Sequence, residues 1–229
     1  TGIHGGLSAP DDDIKRIKDE YAEADMEIGP FWAMPAPFYP DPALQKEKRE
    51  LFIGLLKLWG KVGVTHVGGA IGSMHPESIY MHHPENHTQR AMDLLVEHTR
   101  MLVPYAEDVN CVICPETTQW TIVGTFERMK EFVERVDSPF VRICFDPVNH
   151  MTSQRIYESG TYIRTAIASI GDCIGSIHCK DVAVNKDSVL VSHIDEARMG
   201  TGLLDHQALI EMSTLLEPWK TFSLEHIDD

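Results

Sequence analysis

Four apolar, strand-like segments of this chain each end in a carboxylate or an imidazole side chain. The closing residues are Glu116, Asp146, His178 and Glu225, and successive members lie 30, 32 and 47 residues apart. A strand, a loop and a helix together need roughly 30 residues, so this spacing is typical of repeated βα units. The carboxyl ends of parallel strands share one face of such a fold, and functional side chains gather there. The spacing therefore predicts that the four side chains converge on one site.

Strand-like and helical patterns alternate along the chain, which favours an α/β fold with a parallel sheet. Six segments are strand-like: MEIGPFWAM, VTHVGGAIG, CVICPE, VRICFDP, IGSIHCKD and TFSLEH. Helices are predicted over residues 11–24, 44–60, 86–105, 122–133, 157–170 and 204–216. Residues 185–202 interrupt the alternation, and we expect them to form a short hairpin of their own.

The composition limits the classes of function. A chain of 229 residues with 43% hydrophobic content is long enough for one well-buried domain and too short for two. A formal net charge of −15 disfavours nucleic acid as a partner. No apolar run approaches the roughly 20 residues of a membrane helix, so no membrane partner is expected. The five cysteines lie mostly in apolar segments, which predicts reduced thiols and a cytoplasmic protein.

Three carboxylates and one imidazole suit a hard or borderline divalent cation. We place Mn²⁺ first, with Mg²⁺, Co²⁺ or Zn²⁺ as alternatives. Taken singly, each residue has an ordinary explanation. Glu116 and Glu225 could be surface residues, Asp146 could open an Asp-Pro turn, and His178 could be a core histidine. Because all four close successive strands, a shared metal site is favoured over four coincidences.

Several motifs occur in a fixed order: the Glu of CPETT, the Asp of FDPVNH, the HCKD stretch, the Gly-x-Gly turn of ARMGTGLLDHQALI, and the Glu of SLEH. In this order they resemble the xylose isomerase-like TIM barrel superfamily of sugar phosphate isomerases and epimerases. That superfamily also contains endonuclease IV, inosose dehydratase and hydroxypyruvate isomerase. The resemblance implies a TIM (β/α)8 barrel. Because only six strands are recognised, we expect residues 1–229 to form a single partial barrel domain, truncated at both ends.

The resemblance also implies an activity, that of a divalent-metal-dependent isomerase or epimerase. By position, the metal ligands of the sugar epimerases correspond to Glu116, Asp146, His178 and Glu225, and the two glutamates also form the acid–base pair. One glutamate would remove a proton beside the carbonyl of a small sugar or polyol-derived keto compound. The other would return a proton to the metal-bound enediolate.

Three positions depart from the epimerase pattern. Ile122 stands where the epimerases carry a second Glu, Asn149 where they carry a His, and Val184 where they carry an Arg. Lys180 follows His178 by two residues, so both side chains should point to one side of a strand. We expect Asp181 and Glu196 to be ionic partners of the site's cations. The predicted substrate-binding residues are His75, Asn149, His150, Lys180 and Arg198.

Other functions remain open at this stage. An inosose-type dehydratase would use the same metal site to abstract a proton and expel water. An endonuclease IV-like DNA repair enzyme would need further His and Asp ligands and a basic groove, which the net charge of −15 disfavours. A degraded, non-catalytic barrel would not need to keep the four ligands. The expected partner is a small sugar or polyol, and homo-oligomerisation stays open.

Overall fold

The computed structural model describes residues 9–187, 190–216 and 220–225 of the chain. Its strands are β1 (His66–Val67), β2 (Val112–Ile113), β3 (Ile143–Phe145), β4 (Ile174–Cys179), β5 (Asp181–Val184), β6 (Ile194–Ala197) and β7 (Thr221–Leu224). Its α-helices are α1 (Asp11–Glu23), α2 (Pro42–Val62), α3 (Gln89–Arg100), α4 (Val103–Asp108), α5 (Phe126–Val136), α6 (Ser159–Ile170) and α7 (His206–Ser213). Short 3₁₀ helices cover Pro84–His87, Val148–His150, Arg155–Glu158 and Gly171–Cys173.

Six extended segments run parallel and side by side. The first, residues 31–34, pairs with β1 through Phe31 and Val67, and β1 pairs with β2. Bridges from Ile113 to Val141 and from Glu116 to Cys144 join β2 to the β3 segment. The sheet continues through β3, β4 and β7 in that order. This arrangement confirms the prediction of six strands in a parallel α/β barrel.

Local sequence signals account for the main helices. Asp41 accepts a hydrogen bond from the Leu44 amide at 2.7 Å, which caps α2, and Pro42 opens its first turn. Gly63 ends this helix in the left-handed conformation, with φ of 101°. Threonine side chains cap α3 and α5 in the same way as Asp41 caps α2. The buried side chains of α2, α3, α5, α6 and α7 join those of the strands in one hydrophobic core, which holds the parallel segments in place.

The prediction of a continuous helix over residues 86–105 is wrong. The structure has a 3₁₀ turn at Pro84–His87, then α3, and then a separate α4. Pro104 lies in the first turn of α4. A proline ring collides with the carbonyl four residues earlier, here that of Arg100, so one helix cannot run through this point. The helix predicted to start at 122 begins instead at Phe126, and Ile122 and Val123 are buried in the preceding loop.

A hairpin occurs between the fifth and sixth barrel segments, but its first strand precedes the predicted range of residues 185–202. β5 and β6 pair antiparallel, with Val182 opposite Glu196. This hairpin follows β4 directly, so it begins at the carboxyl-end face of the barrel. Its position brings its side chains to the same face as the four strand-end residues.

The core lies between the sheet and the helices, and its largest fully buried side chains include Phe38, Phe52, Phe132, Phe145 and Leu56. All five cysteines are free and buried, and burial raises the pKa of the Cys111 thiol to about 12. Buried thiols of this kind are unreactive packing residues. None of the described helices is both long and apolar enough to cross a membrane.

Gly69 allows the first two barrel segments to approach each other closely. A Cβ atom on Gly69 would collide with the backbone carbonyl oxygen of Met34, which cannot rotate away. We expect Gly69→Ala to lower the free energy of unfolding in urea by about 1–3 kcal/mol or more. Gly29→Ala is the matched control because no atom lies within 4 Å of its Cβ, and it should change stability by less than about 1 kcal/mol. Equal stability of the two variants would contradict this packing.

Candidate metal centre

The four strand-end side chains meet at one point of the barrel. Asp146 directly follows β3, Glu225 directly follows β7, His178 lies in β4, and Glu116 pairs with Cys144 just beyond β2. One potential ligand atom from each lies within 4.8 Å of the others. Asp146 and His178 are buried, whereas the side chains of Glu116 and Glu225 keep 19% and 23% of their surface exposed. Asp146 and His178 therefore form the buried part of the site, and solvent reaches it at Glu116 and Glu225.

Direct contacts orient these side chains. His178 Nδ1 lies 2.9 Å from Glu116 Oε1 and 3.0 Å from Glu225 Oε1, so the imidazole bridges the two glutamates. Asn149 Nδ2 donates to Glu116 Oε1 at 3.0 Å. Asp146 Oδ1 accepts from the Val148 amide at 2.9 Å, which leaves Oδ2 directed to the centre.

Trp32 lies beside the imidazole of His178. Its ring meets that of His178 edge to face, with centroids 4.3 Å apart. Its Nε1 donates to Ser223 Oγ at 3.2 Å, which joins the first barrel segment to the last. Trp32 therefore holds the orientation of His178 and links the two outermost described segments.

Lys180 places a cation among the carboxylates. Its Nζ lies 3.0 Å from both Asp146 Oδ2 and Glu225 Oε2, and 3.7 Å from Glu116 Oε1. Glu196 Oε1 on β6 lies 3.9 Å away. Strand register explains the contact with Glu225, because Cys179 of β4 pairs with Leu224 of β7, which makes Lys180 and Glu225 neighbours. Only 7% of the lysine side chain is exposed.

The contacts shift the pKa of every member. Burial raises the pKa of Asp146 to about 6, although Lys180 acts against this rise. Burial opposes ionisation of Glu225, but hydrogen bonds from His178 and Lys180 outweigh it and lower the pKa to about 2. Burial lowers the pKa of His178, yet the two glutamates outweigh it and raise the pKa to about 9. Without a metal ion, the cluster therefore holds paired charges of both signs.

The donor set fits a single divalent ion. Ligand atoms about 2.0–2.6 Å from one ion lie at most about 5 Å from one another, and the observed separation is within 4.8 Å. Three carboxylates and one imidazole are donors typical of Mn²⁺, Mg²⁺ or Co²⁺. The cluster also already attracts the ammonium of Lys180, which shows that its electrostatic field favours a positive charge. The residues present are thus suited to a hard cation.

A cleft of about 500 Å³ adjoins the centre. Its size falls in the range of small-molecule sites, roughly 300–1,000 Å³. Asn149, the hydrogen-bond partner of Glu116, and Glu196, the neighbour of Lys180, both line it. The other lining residues come from the loops after β2 and β3 and from the hairpin region: Gln119, Trp120, Val148, Met151, Thr152, Val182, Ser192, Ile194 and Asp195.

Three of the predicted substrate-binding residues lie apart from the cluster. His150 is fully buried, with Nε2 3.0 Å from Thr117 Oγ1, and exposes no surface to a solute in this conformation. His75 is half-buried and accepts a hydrogen bond from the Glu77 amide. Arg198 is exposed and follows β6. Among the described residues, no hydrogen bond or ion pair joins any of the three to the four strand-end residues.

Asp181 has a different role from the one predicted. Its carboxylate accepts hydrogen bonds from the amides of Val182, Gly200, Gly202 and Leu204, at 2.8–3.1 Å. A Cβ atom on Gly202 would collide with this carboxylate, so the turn requires glycine there. The expectation of a cation partner for Asp181 is therefore wrong, because backbone amides already occupy both oxygens. Asp181 fixes the base of the hairpin that carries Glu196.

The sequence patterns missed part of the cleft wall. Gln119 and Asp195 line the cleft, but neither closes a strand-like segment, and Asp195 lies in the hairpin outside the repeated βα units. Trp120 also lines the cleft, with 39% of its surface exposed. These residues come together only when the hairpin folds beside the loops that follow β2 and β3.

The fold is a TIM barrel with a candidate metal centre, and comparisons with known proteins identify its family. The sequence matches the xylose isomerase-like TIM barrel family over residues 3–213, and the chain belongs to that family. A comparison with curated proteins found no match.

Several solved structures share the fold. A xylose isomerase-like TIM barrel protein from Mycobacterium smegmatis in complex with magnesium is 16% identical, with a TM-score of 0.70 over 97% of this chain and 74% of that chain. A 3-keto-D-glucoside 4-epimerase from E. coli is 14% identical, with a TM-score of 0.70 over 96% and 79%. A D-psicose 3-epimerase with D-tagatose from Clostridium cellulolyticum H10 is 20% identical, with a TM-score of 0.69 over 96% and 71%. At these identities the similarity establishes the fold.

The buried His150 makes stability depend on pH. Burial and the Arg155 charge lower its pKa in the folded protein from 6.5 to about 4, so folding favours the neutral ring. The stability that the neutral His150 ring contributes is fully present above pH 6.5 and is lost as the pH falls toward 4. In EDTA, we expect the free energy of unfolding of wild type, relative to that of His150→Leu, to fall as the pH drops from 6.5 toward 4. The decrease should be up to about 1.4 kcal/mol per pH unit. A constant difference would contradict a buried neutral His150.

Proposed function

We propose that this protein is a divalent-metal-dependent isomerase or epimerase of a small sugar or polyol-derived keto compound. The observation that carries the proposal is the convergence of Glu116, Asp146, His178 and Glu225 within 4.8 Å. A cleft of about 500 Å³ lies beside them, lined by Asn149, the hydrogen-bond partner of Glu116. The structures of similar fold that are sugar epimerases support this class of reaction.

The four residues would hold one ion, and Mn²⁺ is our first choice. Mg²⁺, Co²⁺ and Zn²⁺ are alternatives, and a protein of similar fold was solved with magnesium. When bound, the ion supplies a Lewis acid that polarises a substrate carbonyl and acidifies the neighbouring C–H bond. Asp146, which is buried and held by the Val148 amide, would serve as a ligand alone.

Glu116 and Glu225 are the proposed acid–base pair. Both carboxylates contact His178 Nδ1 and both are partly exposed toward the opening of the site. One carboxylate would take the proton from the substrate carbon, and the other would deliver a proton to the same carbon or its neighbour. The Asn149 amide would hold Glu116 in position for this transfer, since it donates to Oε1.

The charges around the cleft favour an uncharged substrate. Asp195 and Glu196 line the wall, and the cation nearest to the centre, Lys180, is already bound by two carboxylates. A phosphorylated sugar would bring further negative charge, so we rank neutral sugars first. Trp120, Gln119 and Asn149 offer an apolar ring face and amide groups for a polyol. The buried free cysteines support a cytoplasmic location.

A metal-exchange experiment tests the proposed activity. After exhaustive dialysis against EDTA, the protein should lose turnover of a panel of ketoses and inososes, and Mn²⁺, Mg²⁺ or Co²⁺ should restore it. The assay follows deuterium incorporation from D₂O by mass spectrometry, which also separates isomerisation from loss of water. Full activity after EDTA treatment would contradict metal dependence, and a product lighter by one water would assign the dehydratase reaction instead.

A glutamate substitution tests the acid–base role. We expect Glu225→Gln to slow turnover by roughly 10²–10⁴-fold, because the amide cannot accept the substrate proton. The matched control is Glu50→Gln on the exposed face of α2, which should turn over like wild type. Assays at saturating Mn²⁺, with occupancy measured by titration, separate loss of the base from loss of a ligand. Unchanged turnover at full occupancy would remove Glu225 from the acid–base pair.

A further inference from the structure

Lys180 and a divalent ion would need the same space. The lysine Nζ lies 3.0 Å from Asp146 Oδ2 and 3.0 Å from Glu225 Oε2, between two of the proposed ligands. An ion coordinated by these oxygens would lie about 2.0–2.6 Å from each. Two cations cannot share that gap, because their volumes overlap and their like charges repel at short range.

We propose that Lys180 is an internal counter-cation that the divalent ion must displace, and that the displaced ammonium moves to the cleft. This inference rests on the proposed metal centre. With Lys180 in place, the carboxylates of Asp146, Glu116 and Glu225 are compensated, and a buried carboxylate without a partner would be costly. The lysine therefore stabilises the metal-free protein and competes with the metal.

The structure offers a destination for the displaced side chain. Glu196 Oε1 lies 3.9 Å from Nζ, its side chain is 46% exposed, and it lines the cleft. A lysine side chain has a flexible four-carbon stem, so a small rotation would carry the ammonium toward Glu196. There it faces the cleft and can donate to a substrate oxygen. Metal binding would thus also place a hydrogen-bond donor in the substrate site.

A titration of the metal-free protein tests this displacement. Mn²⁺ affinity is measured by isothermal calorimetry on EDTA-stripped, dialysed wild type and Lys180→Met, with the exposed Lys186→Met as control. Removing the competing charge should tighten Mn²⁺ binding by about tenfold or more, consistent with coupling energies of close charge pairs. The melting temperature of Lys180→Met should fall in EDTA and recover with Mn²⁺, and Lys186→Met should behave like wild type in both measurements.

The outcomes separate this proposal from the metal centre itself. Equal or weaker Mn²⁺ binding by Lys180→Met, with wild type binding normally, overturns the displacement alone. Binding by Lys180→Met but not by wild type supports it. Binding by neither overturns the metal centre and the displacement together.

A second variant decides the question if Lys180→Met does not fold. Glu196→Gln removes the charged destination from an exposed strand, so it should weaken Mn²⁺ binding while leaving the melting temperature in EDTA close to that of wild type. Unchanged Mn²⁺ affinity in this variant would overturn the displacement toward Glu196.

Discussion

Mutual repulsion among three carboxylates is the constraint on which the candidate site depends. Asp146 is fully buried, and Glu116 and Glu225 are brought against the same imidazole. Such a group is stable only when positive charge lies among its members. In this structure the positive charge comes from His178 and Lys180, whose contacts lower the pKa of both glutamates. The same electrostatic demand makes the site suitable for a divalent ion.

The parallel sheet creates this constraint through its register. Phe145 pairs with Ile177, which sets Asp146 beside His178, and Leu224 pairs with Cys179, which sets Glu225 beside Lys180. A shift of one residue in either pair would turn the side chains to the other face of the sheet. The close approach at Gly69 and the hydrogen bond of Trp32 to Ser223 maintain the surrounding segments. The pairing and packing of the strands around the cluster thus determine its geometry.

Sequence patterns predicted the features that repeat along the chain. The spacing of apolar runs identified six parallel segments and the four residues at their ends, because each strand end is a local signal. The alternation of side chains along β4 also placed Lys180 on the side of His178. The contacts of Lys180 with three carboxylates depend on the pairing of distant strands, so local patterns could not give them, and its role in substrate binding stays a prediction.

Other errors have equally local causes. Asp181 was expected to bind a cation, but the amides of the Gly200–Gly202 turn, which come near it only after the hairpin folds, occupy its carboxylate. The helix over residues 86–105 was predicted from apolar periodicity, and the backbone effect of Pro104 overrides that pattern. His150 is fully buried beside Thr117, a placement that no periodic signal in the sequence gives, and its role in substrate binding stays a prediction.

The most direct test of the account is the position of a bound metal ion. A crystal grown with Mn²⁺ would be measured by anomalous diffraction at a wavelength where manganese scatters strongly. We expect one strong peak about 2.0–2.6 Å from carboxylate oxygens of Glu116, Asp146 and Glu225 and from Nδ1 of His178. The Lys180 ammonium should no longer lie between Asp146 and Glu225. A crystal with no peak among these four side chains, and with Lys180 still bound to both carboxylates, would contradict it.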